Sequence, residues 1–372
     1  MAFKRTSTSF RQGSFTMPGE YYQSQAVFDE EIEKIGLTQW HCVGRAEQIA
    51  RPGDFFTRTI AGESIIVVRD REGVARAHFN VCRHRGTRIC ERASGKFSET
   101  IQCQYHAWTY ALDGRLIGAP HMHEVEGFSK AAHGLHQARV AEWEGFLFVT
   151  LDPGAVPFDV TFAPMINRLT RFGLAALAVG RRVEYDIASN WKLLTQNYSE
   201  CLHCPTIHPE LSCKLPYQSG ANDLTEGPFL GGYMEITPGN DSVTASGKQC
   251  GPLLAPDMPE EDRRRAYYYT LMPNMFLSIH PDYVNYYMVW PQTPTRTIIE
   301  SEWLFHPSAA TDPGFHPEDA VAIWDTTNRQ DWHICEQSQL GVRSRVYQPG
   351  PYSARESVPA AWDRAYLEAM GR

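Results

Sequence analysis

Hydrophobic and polar residues alternate in short runs over residues 40–150. The clearest runs are FFTRTIAGESIIVVRD (55–70), VARAHFNVC (74–82), TIQCQYHAWTYAL (100–112) and GFLFVTL (145–151). Alternation with a period of two, rich in β-branched and aromatic residues, predicts antiparallel strands. Asp113-Gly114 is a hairpin-turn signal between two such runs. We therefore expect a small antiparallel β domain here.

Helical and strand patterns mix in the flanking regions. Helical spacing predicts helices at 25–36, 165–177, 191–203 and 317–342, the last opened by proline and acidic residues and ended by Gly341. Strand patterns occur at 181–190, 265–292 and 295–307, and a proline-rich linker spans 152–164. We predict an α+β protein with an N-terminal helical segment (1–37), a β domain (38–152) and a C-terminal domain (153–372) containing an antiparallel sheet.

Composition and charge narrow the function classes. The chain has 372 residues, which suits about two domains at ~150 residues each. Its net charge of −8 argues against nucleic acid as a partner. No apolar run approaches the ~18 residues of a membrane span. The start shows no apolar secretory segment, and nine cysteines are an odd number for a disulfide framework. We expect a cytoplasmic protein with reduced thiols.

Two cysteine–histidine boxes lie inside the β domain. Cys82 and His84 form C-x-H, and Cys103 and His106 form C-x-x-H. Four such ligands could hold zinc or a Rieske [2Fe–2S] cluster, in which two thiolates bind one iron and two imidazoles the other. Zinc fingers usually pair cysteine with cysteine and histidine with histidine, whereas each box here supplies one of each. This pattern favours the iron–sulfur cluster.

The two boxes also resemble a known family. CRHRGTRIC (82–90) and CQYHAWTY (103–110), with Tyr105 and Trp108 beside His106, are similar to the cluster loops of Rieske non-haem iron oxygenases. The resemblance covers roughly residues 20–345. It implies an N-terminal antiparallel β Rieske domain and a C-terminal helix-grip (START/Bet v1-like) catalytic domain.

The segment NWKLLTQNYSECLHCPTIHPEL (190–211) resembles the part of that family's catalytic domain that supplies two iron-binding histidines. Carried over by position, the resemblance implies His203 and His208 as ligands of a mononuclear Fe(II). NRQDWHICEQSQLG (328–341) resembles the segment that completes the triad, which implies Asp331 as the carboxylate, Glu336 as a supporting residue and Asp325 as the alternative. A 2-His-1-carboxylate triad leaves iron positions open for O2. We expect Pro205 to end regular helix between the histidines.

Other residues in the same segment bear on this assignment. We expect Glu200, three residues before His203, to share its helix face, and the resemblance implies that it bridges to the Rieske histidine, His106, of a neighbouring subunit. A zinc site on Cys201 and Cys204 is the alternative use of this segment, although we favour two cysteines packed as small hydrophobes. The resemblance predicts glutamate at position 196, but the residue is Gln196.

The resemblance implies the oxygenase (alpha) component of a system that uses O2. We find no G-x-G-x-x-G fingerprint, so electrons should come from a separate NAD(P)H-dependent flavin/iron–sulfur reductase, with or without a ferredoxin. A homotrimer is implied. Glutamate at position 200 resembles the branch acting on carnitine, betaines and choline, which predicts mono-oxygenation by N-demethylation or C–N cleavage. Aromatic ring hydroxylation, or a non-catalytic Rieske electron-transfer protein, are the alternatives.

The strands of the second half are rich in aromatic residues that could line a substrate pocket and form a cage for a quaternary ammonium group. The candidates are Tyr267, Tyr268, Tyr269, Phe276, Tyr283, Tyr286, Tyr287 and Trp290. A pocket lined by these residues would bind an apolar aromatic substrate equally well.

Overall fold

The computed structural model describes residues 2–372, which form two compact units. One unit comprises Ile35–Thr161, and the other combines the N-terminal segment to Lys34 with Phe162–Arg372. In chain order the strands are β1 Lys4–Arg5, β2 His41–Arg45, β3 Asp54–Ile60, β4 Glu63–Arg69, β5 Ala75–Phe79, β6 Ser94–Lys96, β7 Thr100–Gln102, β8 Thr109–Ala111, β9 Leu116–Gly118, β10 Gln137–Trp143, β11 Phe146–Thr150, β12 Ala178–Ile187, β13 Ala221–Leu224, β14 Phe229–Glu235, β15 Arg265–Leu271, β16 Met275–Ile279, β17 Tyr283–Thr293 and β18 Arg296–Phe305. The α-helices are α1 Gln25–Glu31, α2 Phe158–Thr161, α3 Trp191–Tyr198, α4 Cys204–Ile207, α5 Pro209–Ser212, α6 Glu260–Arg263, α7 Pro317–Val342 and α8 Ser357–Ala369.

The Ile35–Thr161 unit is built from two antiparallel sheets. The larger has the strand order β2-β11-β10-β5-β4-β3-β6, and the smaller the order β7-β8-β9. The predicted Asp113-Gly114 turn joins β8 to β9. Ile66, Val68, Ile101 and Tyr110 are among the fully buried side chains of its core.

The other unit is organised around an eight-stranded antiparallel sheet of order β1-β13-β14-β15-β16-β17-β18-β12. Helix α7 begins with Pro317 in its first turn, followed by two acidic residues, and runs to Val342. It packs on the sheet through Trp324, whose Nε1 donates to the Tyr283 hydroxyl at 2.6 Å, and through Asn328, whose Oδ1 accepts from Tyr287 at 3.1 Å. The predicted α+β class is thus confirmed.

The helix predicted at 165–177 was wrong. Two short 3₁₀ turns, Thr170–Phe172 and Leu174–Ala176, occupy this stretch. Asn167 and Gly173 adopt left-handed backbone conformations (φ 63° and 62°), which interrupt a right-handed helix. Met165, Leu169 and Phe172 are all buried, as the helical spacing predicted. Successive turns, rather than a helix, place them in the core.

The helix predicted at 191–203 ends early, at Tyr198. Pro205 lies in the first turn of α4, where proline is tolerated because its missing N–H needs no partner. Our expectation that Pro205 would end a helix between the two histidines was therefore wrong. A new short helix begins there instead. Among residues 2–372, no helix is long and apolar enough to cross a membrane.

Candidate metal centres

The two cysteine–histidine boxes fold into loops with the same backbone hydrogen bonds. Cys82 N–H donates to the Thr87 carbonyl at 2.8 Å, and its carbonyl accepts from Gly86 at 3.0 Å. In the second loop, Cys103 N–H donates to the Trp108 carbonyl at 2.9 Å, and its carbonyl accepts from Ala107 at 3.1 Å. Both fifth residues, Gly86 and Ala107, have positive φ (74° and 55°). Each box is therefore closed into a tight turn that begins at its cysteine.

The four candidate cluster ligands come together at the tips of these loops. The Cys82 and Cys103 side chains are buried, whereas His84 is exposed and His106 half-buried. The two imidazole centroids lie 4.8 Å apart, and His84 stacks on Trp108 at 4.8 Å. Burial, reinforced by the neighbouring Cys82, raises the pKa of the Cys103 thiol. Buried thiols beneath outer imidazoles match the ligand arrangement of a Rieske cluster.

Tyr110 supports the buried side of this site. Its hydroxyl accepts from the Arg83 backbone N–H at 3.0 Å and lies 3.3 Å from Cys82 Sγ. Because the hydroxyl oxygen already accepts a hydrogen bond, its own proton is available to the sulfur. A hydrogen bond to a cluster thiolate is one of the features that set a cluster's potential. Sequence reasoning singled out Tyr105 and Trp108 but missed Tyr110.

Three donor atoms meet at a second point, in the other unit. His203 caps the N-terminus of α4, His208 separates α4 from α5, and Asp331 comes from the long helix α7. Asp331 Oδ1 lies 3.2 Å from His203 Nε2 and 2.8 Å from His208 Nε2. Ligands at about 2.1 Å from a metal, at right angles to each other, would be about 3 Å apart. The two separations from Asp331 therefore fit neighbouring ligand positions of an octahedral iron site.

A side-chain acceptor fixes the orientation of each imidazole. Glu200 Oε1 lies 2.6 Å from His203 Nδ1, and Gln330 Oε1 lies 2.7 Å from His208 Nδ1. Each acceptor holds a proton on Nδ1 and directs Nε2 towards Asp331, so that Nε2 is the nitrogen available to a metal. Gln330 was missed from the sequence, since nothing marks a glutamine next to an expected ligand.

The histidines and carboxylates of this cluster shift one another's pKa values. Burial would lower the pKa of His203, but hydrogen bonds to Asp331 and Glu200 outweigh it and raise that pKa to about 10. Burial would raise the pKa of Asp331, but the two histidines outweigh it and lower that pKa.

Glu200 reaches His203 through a turn rather than along a helix face. Because α3 ends at Tyr198, residues 199–203 are not helical, and the predicted shared face was wrong. The second oxygen, Oε2, accepts from the Leu202 backbone N–H, which holds the carboxylate against His203.

The remaining candidates of this segment lie elsewhere. Asp325 accepts from the Tyr185 hydroxyl at 2.8 Å and pairs with Arg329 at 3.0 Å, so it does not join the cluster. Glu336 accepts from the Ala188 backbone N–H at 3.0 Å. Gln196 donates to Asp363 at 2.6 Å and to the Tyr22 hydroxyl at 3.0 Å, and it bonds to neither histidine.

Cys201 and Cys204 form a disulfide, with their Cα atoms 4.9 Å apart. This spacing falls within the usual range for disulfides, and one turn of chain brings the two residues together. Both earlier interpretations, a zinc site and a pair of reduced small hydrophobes, are thus wrong. Cys204 lies beside His203 and His208, but its sulfur is already bonded.

A cavity adjoins the His203–His208–Asp331 cluster, with about 910 Å³ of space including its open mouth. Five aromatic residues line it: Tyr198, Tyr217, Tyr233, Tyr268 and Trp324. Only Tyr268 belongs to the predicted pool. Most of the other candidates serve the core, as shown by Tyr267 and Tyr286, which are buried and donate to Asp262 and Glu302.

Comparison with known families agrees with both centres. Residues 174–372 match the ring hydroxylating alpha subunit (catalytic domain), and residues 39–129 match the Rieske [2Fe-2S] domain. These two domains imply a Rieske cluster and a mononuclear iron, which confirms both predicted cofactors. The donor sets described above fit both groups.

Similar proteins are oxygenase subunits. The chain is 32% identical over 378 residues to the glycine betaine monooxygenase oxygenase subunit of Chromohalobacter salexigens, covering 92% of this chain and 83% of that protein. It is 36% identical over 198 residues to the carnitine monooxygenase oxygenase subunit of Acinetobacter baumannii, and the matched region covers 53% of each chain. The crystal structure of the quaternary ammonium Rieske monooxygenase CntA in complex with gamma-butyrobetaine superposes with a TM-score of 0.78 at 25% identity, covering 95% of both chains. The chain therefore belongs to the alpha (oxygenase) subunits of the Rieske non-haem iron oxygenases, a family of oxidoreductases.

Proposed function

We propose that this chain is the terminal oxygenase component that mono-oxygenates a small quaternary-ammonium substrate, by N-demethylation or C–N cleavage. The observation that carries the proposal is the convergence of His203, His208 and Asp331 at ligand-like separations on the wall of an aromatic-lined cavity. Glycine betaine and carnitine monooxygenases among its relatives support the substrate class.

In this proposal the two metal centres have separate ligands. Cys82, His84, Cys103 and His106 hold the [2Fe–2S] cluster, and His203, His208 and Asp331 hold the mononuclear iron. The bound iron would supply O2 activation, with electrons arriving through the cluster. Glu200 and Gln330 keep both imidazoles in the tautomer that offers Nε2 to the metal.

The cavity's aromatic residues are the part suited to the substrate. A quaternary ammonium group carries no hydrogen-bond donor, so a protein recognises it by cation–π attraction and apolar contact. Tyr198, Tyr268 and Trp324 come from α3, β15 and α7, and they line the same cavity as the two histidines. This arrangement would hold an N-methyl group beside the iron.

The proposal extends to partners. A separate NAD(P)H-dependent reductase supplies the electrons, and the working enzyme is a homotrimer in which Glu200 connects the iron ligand His203 to His106 of the partner subunit. A quaternary ammonium Rieske monooxygenase of the same fold, whose structure gives insights into inter-subunit electron transfer, supports this arrangement. Residues 38–152 then form the electron-receiving domain. At saturating Fe(II), where a weaker iron affinity still fills the site, Glu200→Ala should leave both metals bound and slow the reoxidation of the cluster. Reoxidation at the wild-type rate would refute the bridging role.

The alternative from a different class is a Rieske electron carrier with an appended domain. His203→Ala tests it by iron content, cluster absorption and product formation. An oxygenase should lose about one iron per chain and all product, while the cluster spectrum persists. If product formation and iron content are unchanged, the second site is not catalytic. The cytoplasmic location expected from the sequence stays a prediction.

A further inference from the structure

One cationic side chain in the cavity wall has no carboxylate partner among residues 2–372. Arg355 is the only lysine or arginine among the cavity-lining residues, as far as the described part of the chain extends. It lies half-buried in the 3₁₀ turn Ala354–Glu356, just before α8. The contact made by its guanidinium is with the face of Tyr217, at 5.8 Å from the ring centroid. The neighbouring Glu356 caps its own turn by accepting from Ser353 N–H at 2.8 Å.

Several other arginines of the same unit are paired with carboxylates. Arg364, nine residues further along, donates to both oxygens of Glu226 at 3.0 Å. Arg171 and Arg182 bond to the carboxylates of Asp262 and Glu302. A half-buried guanidinium facing a cavity without such a partner is a preformed site for an anion, because its planar fork matches a carboxylate.

We infer that Arg355 binds the carboxylate of the substrate, so that the enzyme's substrates are betaines: molecules that carry a carboxylate as well as the quaternary ammonium group. This inference rests on the proposed function and narrows it. The aromatic residues receive the ammonium group near the histidines, and Arg355 receives the other end of the same molecule. A quaternary ammonium alcohol such as choline has no negative charge to place opposite Arg355. Its positive charge would instead be repelled by the guanidinium.

The geometry around Arg355 supports a fixed binding position. Tyr217 lies beneath the guanidinium, and the turn that carries Arg355 is tied to the N-terminal segment, where Ser357 Oγ donates to the Thr6 carbonyl at 2.8 Å. Thr6 and Asn222, joined by a 3.2 Å hydrogen bond, line the cavity with Arg355. These polar groups form a wall unlike the aromatic one, which suits a ligand with one charged end of each sign.

The test compares ligands that differ only in the carboxylate. Anaerobic calorimetric titration of the metal-loaded protein with glycine betaine, carnitine and choline gives the dissociation constants without turnover. Arg355→Gln should weaken betaine and carnitine binding by about 10- to 100-fold, the usual loss for a charged hydrogen bond, and leave choline binding unchanged or stronger. Arg355→Lys should be intermediate, since it keeps the charge but loses the fork. Arg364→Gln, which removes an equal charge outside the cavity, is the matched control and should change neither.

The outcomes separate this inference from the proposed function. Wild-type protein that binds choline as tightly as betaine, or an Arg355→Gln protein that loses both equally, would overturn the role of Arg355 and leave the proposed function standing. Wild-type protein that binds none of the three would overturn both. The circular dichroism spectrum and the thermal unfolding midpoint serve as the folding check for each variant.

Discussion

Replacing Gln330 with leucine should weaken iron binding without touching a metal ligand. The Gln330 amide oxygen lies 2.7 Å from Nδ1 of His208, whose side chain is only 1% exposed. Leucine has a similar volume but no acceptor, and water cannot replace the lost partner in so closed a position. The buried N–H would remain unsatisfied, and the imidazole would lose the constraint that directs Nε2 towards Asp331.

The magnitude follows from that burial. An unsatisfied buried donor costs about 1–3 kcal/mol, which corresponds to roughly 5- to 150-fold in a binding constant. Loss of a hydrogen-bond partner behind a metal-bound histidine typically costs about 10- to 100-fold in metal affinity. We therefore expect the Fe(II) dissociation constant of the Gln330→Leu protein to rise by about 10- to 100-fold.

The assay is an anaerobic Fe(II) titration of the mononuclear-iron-free protein against a competing chelator. The Rieske absorption serves as an internal control, because the cluster ligands lie in the other unit. Gln330→Glu should restore tight binding, since a carboxylate is a better acceptor. Gln337→Leu, on the exposed face of the same helix, is the matched control. An unchanged iron affinity in Gln330→Leu would refute the reasoning.

Three further changes test separate features. Asp331→Ala should abolish mononuclear iron binding. Asp325→Ala should retain it, because the Asp325 carboxylate bonds to Tyr185 and Arg329 instead. An iron analysis that finds the reverse would contradict the ligand assignment. Cys204→Ser should keep the iron, because the Cys204 sulfur is bonded to Cys201 in the wild type. Thiol titration of the denatured wild-type protein should show Cys201 and Cys204 as oxidised. Loss of iron from Cys204→Ser, together with free Cys201 and Cys204 thiols in the wild type, would mean that Cys204 is a ligand. Burial lowers the pKa of His41 to about 4. Between pH ~6.5 and pH ~4 the unfolded chain therefore binds a proton at His41 that the folded protein does not bind. The free energy of unfolding should fall over this range by up to about 1.4 kcal/mol per pH unit. Denaturant unfolding of His41→Gln should show a flatter dependence, and an equally steep one would exclude His41 as the cause.

Local patterns predicted much of the architecture. The strands of both units follow runs in which side chains alternate, and α7 follows a long helical pattern that opens with a proline. The stretch 165–177 failed for a physical reason. Its buried residues have helical spacing, but Asn167 and Gly173 take conformations that only the folded context selects. The periodicity of apolar residues indicates which side chains are buried. It does not fix the secondary structure, because more than one backbone conformation can bury the same side chains.

The site was predictable to the extent that its ligands lie close together in sequence. The spacing within the two cluster boxes indicates a metal site by itself, whereas His203, His208 and Asp331 were all assigned through the resemblance. Gln330 and Tyr110 depend on distances between separate elements, which no spacing rule supplies. The cavity lining depends on strand register. Tyr268 faces the cavity and its neighbours Tyr267 and Tyr269 do not, because successive side chains of β15 point to opposite faces.

The most direct test of the account is a single-turnover experiment with the chemically reduced enzyme, O2 and a pooled set of glycine betaine, carnitine, choline and aromatic acids. Mass spectrometry and a formaldehyde assay would report the products. The account predicts a demethylated or cleaved amine, with formaldehyde or a carbon-chain aldehyde, from a carboxylate-bearing quaternary amine. A hydroxylated arene with all quaternary amines intact would contradict it.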